Sequence, residues 1–186
     1  MPKQITDNQV YQAVIDTLIK HGYAGATTKR IAQSADINEV TLFRKYGNKA
    51  QLVASAVASE TDGFPELPYT GDVAADLVFA AEAYLHRTVK HAALFPVIMS
   101  ELTRFPELRT TLEGPVGAVS KIRQLIMRYQ TEGVLAADEE PLHAVAGLIG
   151  PLIVINMLRS AARMPIPVVE VNDHVTRYLQ GRQNMG

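Results

Sequence analysis

The stretch that decides the fold runs from Thr27 to Lys49, TTKRIAQSADINEVTLFRKYGNK. It reads as two short helices joined by a tight turn, a helix-turn-helix, with basic residues where a DNA backbone would lie. Thr27 or Thr28 can cap the first of these helices, which carries Ile31, Ala32 and Ala35 inward. Asp36 falls where the chain must turn through a left-handed conformation, which Asp tolerates better than most residues with a Cβ. Asn38 is placed to cap the second helix. There Leu42 and Tyr46 share one face, while Glu39, Val40, Phe43 and Arg44 point elsewhere as the candidate reading face. Asn48 and Gln51 have the spacing of a capping box, so a further helix starts at Lys49 and sets that lysine beside the recognition element.

Toward the N-terminus, Thr6 and Gln9 form another capping box, with Ile5 and Val10 placed for a hydrophobic staple. Val10, Val14 and Leu18 recur at helical spacing beside Ala13 and Ile15 until Gly22 stops the helix, which makes this element the scaffold of the head. Toward the C-terminus, a fourth helix runs from Lys49 to about Asp62, and the loop GFPELPYTGD (63–72) follows. Helical patterns then cover Asp72 to about Lys90, Ala93 to Arg104, and Pro106 to Glu132 with a kink at Gly114-Pro115. Asp138 is placed to cap a helix reaching about Arg163, and a last helix runs from Val168 to about Gln180. No strand alternation competes, so the fold class is all-α. A three-helix helix-turn-helix domain at 1–48 precedes a linker helix and helical bundle at 49–186.

The chain of 186 residues is 47% apolar, enough to bury a substantial core and too much for a disordered chain. Cysteine is absent, which leaves no disulfide framework and no thiolate metal site. MPKQITDNQ lacks the apolar run of a signal peptide, so the expected address is the cytoplasm. The apolar run Ala144 to Leu158 is interrupted by Gly147, Gly150, Pro151 and Asn156. It falls short of the roughly 20 residues of a membrane span and reads as a buried helix, with no membrane partner. Up to residue 50, Lys3, Lys20, Lys29, Arg30, Arg44, Lys45 and Lys49 outweigh Asp7, Asp16, Asp36 and Glu39 by three charges; the remainder has a deficit of four, giving the net −1 of the chain. A basic head on an acidic body turns the head toward phosphates.

Residues 6–60 resemble the DNA-binding domain of the tetracycline-repressor (TetR) family of bacterial transcription regulators. The resemblance is carried by His21-Gly22-Tyr23, Ala26-Thr27-Thr28, Ile31-Ala32, Ala35-Asp36-Ile37, Thr41-Leu42-Phe43, Tyr46 and Lys49 in that order. It implies a homodimer whose two recognition helices enter successive major grooves of a palindromic operator, about 34 to 36 Å apart. By matching position, Thr28, Lys29, Thr41, Phe43 and Lys49 hold phosphates, and Glu39, Val40, Arg44 and Lys45 lie nearer base edges. In that setting Arg44 suits guanine, Glu39 a cytosine amino group and Val40 a thymine methyl. The resemblance also implies that a small-molecule effector enters the helical body and releases the operator. The family usually has Gly at Asp36, and Glu39 adds an acid to the recognition helix. Both motivate an alternative: a ligand-binding or interaction protein whose head no longer reads DNA specifically.

In the body, Phe64, Tyr84, Met99, Met127 and Asn156 are candidate ligand-binding residues, each of which can equally fill the core. The helix around Leu148 to Leu158 is apolar nearly all the way round, which implies a second buried surface. Pairing of the last two helices with their twins through Leu148, Leu152, Ile155, Val168, Val171, Val175 and Leu179 supplies one. That pairing is the economical solution, and the centre of a monomeric bundle is the alternative. His86, His91 and His143 lack the spacing and companions of a metal site. No catalytic set is legible: there is no G-x-S-x-G elbow, P-loop or dinucleotide fingerprint, and GPVG at Gly114 lacks a preceding strand. The expectation is therefore a regulator without enzymatic activity or cofactor.

Overall fold

The computed structural model describes residues 6–61, 63–89, 93–160 and 163–182. Among them the fold is all-α: α1 (Asp7–Gly25), α2 (Thr28–Ser34), α3 (Glu39–Tyr46), α4 (Lys49–Thr61), α5 (Val73–Val89), α6 (Leu94–Glu101), a 3-10 helix (Pro106–Leu112), α7 (Glu113–Thr131), α8 (Pro141–Ser160) and α9 (Val171–Leu179). They form two compact units, Met1–Asp62 with Ala93–Gly114, and Gly63–Ala92 with Pro115–Gly186.

In the first unit, the Thr6 hydroxyl accepts from the Gln9 amide at 3.4 Å and the Gln9 carboxamide oxygen accepts from the Thr6 amide at 3.1 Å, so the capping box starts α1. Ile5, the other half of the expected staple, lies outside the described residues. Gly22 breaks α1 with φ 65° and ψ 177° before a final turn. A Cβ there would meet only the movable end of the Glu101 side chain, at 2.8 Å, so it is the backbone conformation that requires glycine.

Sequence alone sets a boundary after residue 48, whereas the compact head extends further. Leu52, Val53, Ala56 and Val57 of α4, Leu94 and Ile98 of α6, and Leu108 share one core with Val14, Ile15, Leu18, Ile31 and Leu42. Each large aliphatic side chain buried this way contributes roughly 1.5–3 kcal/mol, so three short helices cut at residue 48 would leave much of that core open.

The second unit is built from α5, α7, α8 and α9, whose core joins Leu77, Tyr84, Ile122, Ile126, Tyr129, Leu148, Leu152, Val175 and Leu179. Its elements differ from the sequence expectation at their ends. Glu140, rather than Asp138, caps α8 by accepting from the His143 amide at 3.0 Å, and Pro141 follows where a missing N–H costs nothing. The segment from Pro106 is a 3-10 helix that becomes α-helical at Glu113, so a change of helix type stands just before the expected kink at Gly114-Pro115. α9 begins at Val171, because Glu170 is still extended and Val168 precedes it. α6 stops at Glu101 rather than Arg104, and α8 ends at Ser160.

Candidate nucleic-acid interface

Local hydrogen bonds set the two helices of the motif. The Thr27 hydroxyl accepts from the Arg30 amide at 3.2 Å, so Thr27 and not Thr28 is the cap of α2. Asp36 adopts φ 55°, and the Ile37 amide then donates to the Ala32 carbonyl at 3.0 Å, closing the turn. The turn therefore keeps its left-handed geometry without glycine. Asn38 accepts from the Val40 amide at 2.8 Å to start α3. Gly47 ends α3 with φ 76°, where a Cβ would run into the Gln51 carboxamide oxygen. That oxygen accepts from the Asn48 amide at 3.1 Å while Asn48 accepts from the Gln51 amide at 2.9 Å, the capping box that begins α4.

Burial of Leu42 pins α3 to the head and leaves its other side free: Val40 is 73% and Phe43 45% exposed, unusually apolar for an outward face. Thr41, Arg44 and Lys45 are exposed beside them. Lys29 and Arg44 make no hydrogen bond or ion pair with the described residues and stand ready for an anion or a base edge.

Four other expected contact residues are engaged within the head. Thr28 donates from its hydroxyl to Oε1 of Glu39 at 2.6 Å, joining an expected phosphate contact to an expected base contact. Lys45 forms an ion pair with Asp7, which also accepts from the Tyr46 hydroxyl. The bond from Lys45, and then that from Tyr46, hold the Asp7 carboxyl below the usual carboxylate range. Burial, and then Asp7, push the Tyr46 hydroxyl up. Lys49 turns inward rather than toward a phosphate: it donates to the Tyr23 backbone carbonyl and lies 3.9 Å from the centre of that ring. Burial lowers its pKa against the pull of Glu107 and Glu101. Burial, with Glu107 adding to it, pushes Tyr23 up to about 12. Asp7 and Tyr23 are the residues that sequence reasoning missed, because each meets its lysine from a different helix and no local spacing joins them.

The candidate residues of the second unit are dispersed. Phe64 and Tyr84 are buried in its core, Asn156 is half-buried on α8, and Met127 points outward from α7. Met99 is exposed on α6 and belongs to the first unit. These five do not line one cavity within a unit. A groove of about 460 Å³ instead opens between the loop at Gly63 and Pro65 and the α5 face of Phe79, Glu82, Ala83, His86 and Arg87. Leu148, Leu152, Val175 and Leu179, expected at an interface between copies, are already covered by the chain's own helices, because α8 turns that side toward α5 and α9. Ile155 and Val171 are half-buried and Val168 is 62% exposed. His143 is exposed on α8, and His91 lies outside the described residues.

A capped pair of short helices, a left-handed turn between them and an outward face carrying free cations define a helix-turn-helix DNA-binding regulator. Residues 12–56 match the family described as bacterial regulatory proteins, tetR family. The helix-turn-helix-type transcriptional regulator YvkB of Bacillus subtilis is 25% identical over 155 residues, covering 75% of this chain and 75% of that protein. A helix-turn-helix-type transcriptional repressor of Streptomyces coelicolor is 35% identical over 54 residues, 29% of this chain and 28% of that one. Among solved structures, the flavonoid-responsive regulator FrrA superposes with a TM-score of 0.71 at 20% identity, covering 97% of this chain and 98% of that chain. The fatty acid degradation regulator FadR of Bacillus halodurans gives 0.68 at 15% identity, covering 94% and 96%. Residues 12–56 thus form a tetR-family helix-turn-helix domain, and over most of its length the chain is similar to helix-turn-helix-type transcriptional regulators.

Proposed function

We propose that the protein acts in the cytoplasm as a homodimeric repressor that holds a palindromic operator and is released by a small-molecule effector. Residues 1–48 serve as the reading head and residues 49–186 as the linker helix with the effector and dimerisation region. The observation that carries the dimer is the open side of α8. Its stretch Pro141–Arg159 is long and apolar enough by composition to cross a membrane, yet only 28% of it is buried within the chain. Leu142 and Val154, both 49% exposed, lie outside the cover that α5 and α9 give Leu148 and Leu152. A second copy of the same helix would bury this side in a symmetric interface, and a palindrome is read by two heads. Val168 and Ile155 belong at its margin.

Two structural neighbours support an apolar or aromatic effector, since one is a flavonoid-responsive regulator and the other a regulator of fatty acid degradation. In this chain the groove at Phe79, with Glu82 and His86 at its wall, offers an apolar surface edged by polar groups. The test is binding of the full chain to the DNA upstream of its own gene, against random duplex, across a salt series. Selective, salt-sensitive binding by a sedimenting dimer is expected, and Leu142→Asp with Val154→Asp should convert the protein to a monomer that loses the operator. A wild-type monomer, or equal binding to both duplexes, would overturn the proposal.

A further inference from the structure

We infer that Glu39 reads a cytosine in each half of the operator, and that Thr28 is the positioning residue that aims it. This rests on the DNA-binding reading of the head. Glu39 is the first residue of α3 and half-buried, and its Oε1 accepts from the Thr28 hydroxyl at 2.6 Å. Thr28 is the one described residue that donates to it. A carboxylate offers lone pairs on two oxygens, so this bond leaves Oε2 able to accept from a base. Thr28 belongs to α2, and the bond therefore fixes the Glu39 side chain through the packing of α2 on α3 instead of leaving it to its own flexible stem. The same bond commits the single hydroxyl hydrogen of Thr28, which cannot at once be donated to a phosphate.

An acid on the outward face of a DNA-reading helix is repelled by the duplex unless a donor meets it. In the major groove those donors are the amino groups of cytosine and adenine, whereas guanine offers two acceptors and thymine an acceptor and a methyl. The adenine amino group lies between its own N7 and the thymine O4, both acceptors. The cytosine amino group has an acceptor, guanine O6, on one side only. A fixed carboxylate therefore favours cytosine and rejects guanine and thymine. The neighbouring Val40, 73% exposed, extends the reading face toward the next base pair.

The test is selection of binding sites from a randomised duplex pool by the full-length wild type and by Glu39→Gln, Thr28→Val and Thr28→Ser, each first shown to melt as a folded protein. The wild type is expected to enrich one C·G pair per half-site by about tenfold or more over other pairs. Glu39→Gln should move that position toward adenine, because a carboxamide both donates to N7 and accepts from the amino group. Thr28→Val should flatten the preference at that position alone, and Thr28→Ser, which keeps the hydroxyl, should retain it. Should Val disturb the start of α2, Thr28→Ala carries the same comparison. Identical selected sites for the wild type and Glu39→Gln would overturn the inference while leaving the DNA-binding reading intact. Full cytosine preference in Thr28→Val would overturn the role of Thr28. A wild type that enriches no sequence would overturn the operator reading and this inference with it.

Discussion

The Lys49 side chain crosses from the start of α4 to the end of α1, where its ammonium donates to the Tyr23 carbonyl and lies 3.9 Å from the centre of the Tyr23 ring. Phe105 also packs on the Tyr23 ring, tilted and 4.8 Å away between ring centres. A lysine expected on a phosphate is thus a clasp between two helices of the head.

Lys49→Ala should lower the stability of the head by about 1–2 kcal/mol, the combined scale of a partly desolvated cation–π contact and a charged hydrogen bond. Urea unfolding reads this directly. Arg44→Ala should do the reverse, leaving the unfolding midpoint in place and weakening the operator by about 1–3 kcal/mol while sparing random DNA. An unchanged midpoint for Lys49→Ala, with equal loss on every duplex, would restore the phosphate role.

Alkali should loosen the head through Tyr23. Its hydroxyl is raised from the ordinary value near 10 to about 12, so the folded state holds a proton that the unfolded state has released. The stability this represents is complete below pH 10 and lost as the pH rises through about 12. Lys49, lowered by burial, acts in the opposite sense below its ordinary value. The difference between wild type and Tyr23→Phe in unfolding free energy against pH is therefore the decisive reading. Parallel profiles over that range would rule out the contribution.

Asp7 restrains Lys45, the one cation of α3 that forms an ion pair among the described residues. Asp7→Asn removes an acid and releases that lysine, so affinity for any duplex should rise and the logarithmic salt dependence should steepen by up to about one unit per head. The gain should be the same on operator and random DNA. Because the folded Asp7 pKa is lowered below 3.8, the variant should also lose a small stabilisation that the wild type holds above that pH and gives up as the pH falls through the folded value. A salt slope equal to that of the wild type would show that Lys45 stays clear of phosphates.

Asp36→Gly should be neutral or stabilising, by up to about 1 kcal/mol, since glycine occupies φ 55° without a Cβ penalty. Asp36→Ala should cost about 1 kcal/mol at the same site. Thermal melts of the pair compare the two, and a lower midpoint for glycine than for aspartate would mean that the Asp36 side chain does more than tolerate the turn.

In the second unit Asp76 is 1% exposed and accepts from the Tyr129 hydroxyl at 2.5 Å and from the Thr70 amide and hydroxyl, each at 2.8 Å. This carboxylate ties the loop before α5 to α7. Asp76→Ala would strand the buried Tyr129 hydroxyl and remove the acceptor of both Thr70 donors, and should cost about 2–3 kcal/mol, whereas Asp76→Asn, which keeps one acceptor, should cost less. Equal midpoints for the two variants in chemical unfolding would contradict the network.

The sequence alone established that the elements are helical, though not that Pro106–Leu112 is a 3-10 helix, and for the first four helices it placed the starts to within a residue, because capping is local. Thr6 with Gln9, Asn38 with the Val40 amide, and Asn48 with Gln51 all meet within three residues, and the left-handed turn at Asp36 follows from the chain's own reversal. The outward face of α3 was legible for the same reason, since helical periodicity sets Val40, Phe43 and Arg44 opposite Leu42. Tertiary structure decided what each charged group does. Lys45 finds Asp7 and Lys49 finds Tyr23 across different helices, and Thr28 meets Glu39 eleven residues away. It also decided which apolar residues of α8 are closed and which remain open, because Leu148 and Val154 are equally apolar in sequence and differ only in which neighbours cover them. Periodicity fixes the direction in which a side chain leaves its helix; only packing fixes what stands there to meet it.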